Sequence, residues 1–174
     1  LRLLPTGERI NDMDPHVLLL SRDGKLFDAS DSIDYRGNRF FAHDASSGDI
    51  NGDGFPDVLA ARTLFLNDSG AGFVNSIENL PEGMRRTDHY VMSSLLADFN
   101  GDGLADPVLF WGDEIDALDP WPARIALSDT QKPSAEWPVQ SLPTGPFGLG
   151  STKFNHAASA DIDGDGDLDI VIGT

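Results

Sequence analysis

The apolar residues of this chain come in short runs. The longest, such as Val17 to Leu20 and Val108 to Trp111, are far below the length of a membrane span. Three of the runs follow closely related polar stretches: Asp57-Val-Leu-Ala-Ala, Asp106-Pro-Val-Leu-Phe-Trp and Asp169-Ile-Val-Ile-Gly. Their length and their valine, isoleucine and aromatic content predict strands. Small and apolar residues also precede each polar stretch, as Ala45-Ser-Ser-Gly-Asp49, Ser94-Leu-Leu-Ala-Asp98 and Ala158-Ser-Ala-Asp161. Each unit therefore reads as a strand A, an acidic loop and a strand B. A strand C follows as Thr63-Leu-Phe-Leu-Asn67, with the turn Asp-Ser-Gly-Ala-Gly leading to a partner at Phe73-Val. The hairpin Val17-Leu-Leu-Leu-Ser-Arg-Asp-Gly-Lys-Leu-Phe27 has the same form, and Arg124 to Asp129 with Trp137-Pro-Val139 makes a third copy.

The loops between A and B are nearly identical: DINGDGFPD from Asp49, DFNGDGLAD from Asp98 and DIDGDGDLD from Asp161. Their first acids stand 49 and 63 residues apart. Periods of that size predict four-stranded propeller blades. Side-chain oxygens fall at positions 1, 3, 5 and 9 of each nonapeptide. These are Asp49, Asn51, Asp53 and Asp57; then Asp98, Asn100, Asp102 and Asp106; then Asp161, Asp163, Asp165 and Asp169. Glycine at position 6 (Gly54, Gly103, Gly166) permits a sharp turn, and the carbonyl at position 7 (Phe55, Leu104, Asp167) can add an oxygen.

Carboxylates gathered this closely repel, and without a cation some would have to take up protons. A hard ion with six to eight oxygen ligands suits them, whereas softer metals would want histidine or cysteine. Magnesium prefers a smaller octahedral cage and its own waters, so calcium is expected at three sites. Ordinary Asn-Gly and Asp-Gly hairpin turns account for one such loop, but not for three that each carry an acid at position 9. An EF-hand needs a glutamate at position 12, where this chain has Ala60, Leu109 and Ile172. The third loop has four carboxylates at the ligand positions and Asp167 nearby, so it is expected to bind calcium most tightly.

The pattern D-x-[DN]-x-D-G-x-x-D between two strands resembles the calcium-cage repeats of integrin-α-type propellers, known as FG-GAP repeats, and VCBS-type repeats in bacteria. Phe147-Gly148 ahead of the third unit and Val171-Ile-Gly-Thr174 at its end carry the same likeness. The resemblance implies an all-β propeller segment of about three blade-equivalents, part of a six- to eight-bladed ring. The blades divide the chain as strands BCD in 1–40, ABCD in 41–85, ABCD in 86–145 and AB in 146–174. Leu1 to Gly7 then falls on strand B. The B-to-C connectors Gly7 to Pro15 and Gly112 to Pro120 mirror one another. Three blades do not close a ring, so the expected partner is the remainder of a longer propeller or another chain. Two copies making a six-bladed ring are the simplest oligomer.

Composition narrows the function. With 29 acidic against 12 basic residues the net charge is −17, and the basic residues form no cluster, which argues against nucleic acid and anionic membranes as partners. There is no cysteine, hence neither a disulfide framework nor a thiolate metal site. The four histidines, His16, His43, His89 and His156, share no strand face and read as surface or core residues. Trp111, Trp121 and Trp137, with Asp113, Glu114, Asp116 and Asp119 nearby, have the makings of a sugar site, though packing is the favoured reading. The resemblance implies a non-enzymatic module for adhesion, or for binding protein or carbohydrate, with structural calcium. Extracellular sites of this class bind with Kd values of about 10⁻⁴–10⁻³ M, so a secreted or cell-surface location is expected. The alternative is the propeller part of a secreted enzyme, such as a polysaccharide lyase or phospholipase.

Overall fold

The computed structural model describes residues 2–3, 9–10, 16–37, 42–85, 90–112, 123–143 and 156–173. It is all-β, with sheets that are antiparallel except for one strand pair, a few one-turn 3₁₀ segments and no α-helix among the described residues. Strands β1 (Arg2–Leu3) and β2 (Arg9–Ile10) pair with each other, as do β3 (Leu19–Arg22) and β4 (Lys25–Asp28). A five-stranded sheet has the order β5-β9-β8-β7-β6, built from β5 (Ile33–Asp34), β6 (Ala45–Gly48), β7 (Asp57–Ala60), β8 (Thr63–Asn67) and β9 (Phe73–Asn75). A four-stranded sheet runs β10 (Tyr90–Ala97), β11 (Asp106–Gly112), β12 (Arg124–Ala126) and β13 (Val139–Ser141). The last pair is β14 (His156–Ala160) with β15 (Asp169–Gly173).

The A, B and C strands expected around the first two loops are therefore present as β6-β7-β8 and β10-β11-β12, and the third loop joins β14 to β15. Two features were not expected. The sheet of the first unit gains β5 as a fifth strand, parallel to β9 in the register Ile33↔Phe73. And β1, from the stretch read as a strand B, pairs with β2 in the connector rather than with β3. Phe147-Gly148, Thr174 and the connector at 113–120 lie outside the described residues.

The continuous apolar run of β11 is the physical key to the packing. A strand whose residues are buried on both faces has no polar alternation to show. Leu109 and Trp111 face one core with Leu59 and Leu64 of the first sheet, while Val108 and Phe110 face a second with Ile170 and Ile172 of β15. The β10–β13 sheet is thus clasped between its neighbours. Along β10, Leu96 serves the first core and Leu95 the second. A bulge between Val91 and Ser93 leaves Met92 outside the ladder. The alternation therefore shifts by one, and Val91 joins Leu96 rather than Leu95.

Strand β10 also touches both β6 and β14, so the strands preceding the three loops lie side by side. The approach is close. A Cβ on Gly48 would sit 2.6 Å from the Ala105 Cβ and 3.1 Å from the Leu96 carbonyl. A polar staple spans the same seam: the Asp44 carboxylate accepts the Ser93 hydroxyl at 2.5 Å and the Ser94 N–H at 3.1 Å.

Candidate metal centre

Each loop is wound around the acid at its first position. In the first, Asp49 Oδ1 accepts the N–H groups of Gly52 (2.7 Å) and Asp53 (3.2 Å), and Oδ2 accepts that of Gly54 (2.8 Å). In the second, Asp98 takes Gly101, Asp102 and Gly103 in the same way. In the third, Asp161 takes Gly164 and Gly166. This winding needs left-handed backbone at positions 4 and 6, and all six glycines there have φ between 72° and 98°. The turn at position 6 was legible in advance; the equal demand at position 4 was not.

The acid at position 5 caps the turn. Asp53 Oδ1 accepts the Phe55 N–H, Asp102 the Leu104 N–H and Asp165 the Asp167 N–H, at 2.8–2.9 Å. At position 3, Asn51 and Asn100 donate their amide N–H to the position-5 carboxylate at 3.0 and 2.9 Å. In the third loop carboxylate oxygens of Asp161, Asp163 and Asp169 lie within 4.8 Å of one another, and Asp165 and Asp167 stand outside that group. Phe55, Leu104 and Asp167 enter these loops through their main chain.

Position 9 has a different job from the rest. Asp57 and Asp106 are fully buried at the start of strand B, whereas the loop tips are exposed. Asp57 accepts the Ile50 N–H (3.1 Å) from its own loop and the Asn67 N–H (2.8 Å) from the end of β8. Asp106 repeats this with Phe99 (3.0 Å) and Ser128 (2.7 Å), just beyond β12. Each carboxylate ties loop, strand B and strand C together. Asn67 and Ser128 belong to the site although no loop motif points to them. Neighbouring loops are also joined, since the Ala105 N–H donates to the Asp49 carbonyl at 2.7 Å.

Burial pushes the Asp57 and Asp106 carboxyls up from their ordinary value of 3.8, against the pull of their two N–H donors, and the position-5 and position-1 acids add a further push. Between 3.8 and the raised value the folded chain holds more protons than the unfolded one, so stability falls as pH rises through that window. In chelator, wild type is therefore expected to gain stability on acidification into the window relative to Asp57→Asn. Urea midpoints across a pH series measure this; parallel profiles for the two proteins would refute it.

The other candidates sit elsewhere. His16 packs edge-on to Phe65, and burial pushes its imidazole down. His43 is exposed, with His16 and Asp44, on a cavity of about 220 Å³ lined also by Val58, Ala60 and Phe73. His156 is exposed on β14. Trp111 is core, and Trp137 packs against it while its Nε1 donates to the Asp129 carbonyl at 2.9 Å. His89, Trp121, Asp113, Glu114, Asp116 and Asp119 lie outside the described residues.

Antiparallel sheets packed face to face, with a glycine-rich acidic loop joining the first two strands of each unit, define an all-β repeat protein. Residues 49–109, from the first loop into β11, match the family model of the FG-GAP-like repeat, so the chain contains a repeat of this type. No curated protein matches the chain.

Proposed function

We propose that the chain is a propeller-type binding module whose three acidic loops take up calcium, and that the ion is structural. The observation that carries this reading is the threefold recurrence of one oxygen-only loop, wound the same way each time and placed at the same junction of strands. The donor set fits a hard divalent cation. It offers carboxylate and amide oxygens, and no histidine or cysteine. Asp49, Asn51, Asp53 and Asp57, with the main chain of Phe55, would hold one ion. Asp98, Asn100, Asp102 and Asp106 with Leu104, and Asp161, Asp163, Asp165 and Asp169 with Asp167, would hold the other two. When bound, calcium supplies positive charge that offsets the repulsion of these acids. The chain's own residues set the loop, bring strand B against strand A and couple folding to ion binding.

Weak sites of this kind fill at extracellular calcium levels, which favours work outside the cell on a protein or carbohydrate ligand. The net charge of −17 favours ligands other than nucleic acid. Thermal melting with calcium and with chelator tests the core of the proposal. An ion present at a hundredfold over its Kd stabilises by about 2.7 kcal/mol per site. A melting temperature that rises with calcium is expected; superimposable curves would remove calcium from the account.

A further inference from the structure

Two peptide groups lie in series between the first loop and the second. The Ala105 N–H, at position 8 of the second loop, donates to the Asp49 carbonyl, at position 1 of the first. The Ala105 N–H shares its planar peptide with the Leu104 carbonyl, the position-7 oxygen of the second loop. The Asp49 carbonyl shares its own with the Ile50 N–H, which donates to Oδ2 of Asp57, the position-9 acid of the first loop, at 3.1 Å. A continuous relay therefore runs from Leu104 to Asp57. Ile50, Asp57 and Ala105 are all buried, and away from water each hydrogen bond polarises the next. The Leu104 side chain also lies over the first loop, where a Cβ on Gly52 would meet its Cδ2 at 3.1 Å.

The relay is particular to this pair of loops. Position 8 of the first loop is Pro56, which has no N–H to give. The same position of the third loop is Leu168, and among the described residues its N–H makes no bond to the Asp98 carbonyl.

We propose that the first and second loops fill with calcium cooperatively, each ion tightening the other's site through the Leu104–Ala105 and Asp49–Ile50 peptides, while the third loop fills on its own. The proposal rests on the calcium reading given above and adds to it a coupling between sites. An ion drawn to the Leu104 carbonyl fixes the plane of that peptide and strengthens its N–H as a donor. The Asp49 carbonyl is then held, and with it the Ile50 N–H that holds Asp57. Linkage makes the gain equal in the reverse direction. Charge alone acts the other way, because two cations repel. A gain in affinity therefore identifies the relay.

Three glycine amides report the loops one by one, because Gly54, Gly103 and Gly166 donate to Asp49, Asp98 and Asp161. Following their NMR resonances as calcium chloride is added to chelator-treated protein gives a filling curve for each site. Gly54 and Gly103 are expected to move together along a curve steeper than a single-site isotherm, and Gly166 along a simple one. Asp102→Ala, which removes a ligand of the second loop, should raise the calcium needed at Gly54 by about fivefold or more. Asp53→Ala should raise that needed at Gly103 by the same factor, and neither should move Gly166. Ala105→Pro removes the connecting donor and no ligand, so it should turn Gly54 and Gly103 into two separate single-site curves. The aspartate variants decide the matter by themselves if the proline distorts the seam. A Gly54 midpoint that Asp102→Ala leaves in place or lowers overturns the coupling while keeping calcium. So does a Gly166 shift as large as that of Gly54, since the effect would then not follow the relay. No response at any of the three glycines removes calcium and coupling together.

Discussion

Replacing Asp106 by alanine is expected to destabilise the protein by about 2–5 kcal/mol, read as a lower urea midpoint. Its carboxylate is wholly buried and receives two main-chain donors, Phe99 and Ser128. Truncation leaves both N–H groups without an acceptor, and each buried orphan costs roughly 1–3 kcal/mol. Relief from burying an ionised acid offsets part of this, because burial already pushes the Asp106 carboxyl up. Asp106→Asn should recover only part of the loss, since its amide presents one acceptor and one donor to two donors. Asp102→Ala is the comparison, for Asp102 is an exposed loop acid whose Oδ1 accepts the Leu104 N–H. Were Asp106→Ala no worse than Asp102→Ala in chelator, the view of position 9 as a buried tie would be abandoned.

Phe110→Ala should be comparably damaging, at about 3–5 kcal/mol. Phe110 is fully buried and forms the second core with Leu95, Val108 and Ala123, against which Ile170 and Ile172 rest. Removing the ring opens a cavity under β15, and the two-stranded β14–β15 sheet is hydrogen-bonded to no further strand among the described residues that could hold it. Hydrogen exchange should therefore show β14–β15 losing protection before β6–β9. Uniform loss across all sheets, or a cost below about 1 kcal/mol, would show that the last strand pair does not depend on this core.

The strands around the loops were readable from sequence because each begins or ends at a motif with its own chemistry. Thr63 to Asn67 and Phe73 onward stood out as a hairpin for the same reason, with a glycine-bearing turn between them. The tie made by position 9 was hidden. Its partners donate from the main chain of Asn67 and Ser128, 10 and 22 residues downstream, and a backbone N–H leaves no mark on residue type. The Asp44 to Ser93 and Ser94 staple spans 49 and 50 residues between ordinary polar positions, so no local pattern announces it. Nor does a two-residue strand such as β5 carry enough alternation to reveal that it lies parallel to β9.

The loops themselves show the opposite balance. Their residue types specify an oxygen cage and their glycines specify a tight path, so composition and conformation agree at every position. What composition could not convey is that Asp57 and Asp106 sink below the surface while Asp53 and Asp102 remain in water. That difference comes from packing: strand B enters the sheet at position 9, and the acid there goes in with it.

The kink at Met92 bears on how such a chain tolerates changes of length. Because that residue stands aside from the ladder, Val91 and Leu96 face the same core across an odd spacing. Excising Met92 would bring Val91 and Ser93 together in ordinary succession, and every greasy side chain would still look the way it does now. The strand therefore carries a spare link, and loss of a residue at that point need not turn the sheet inside out.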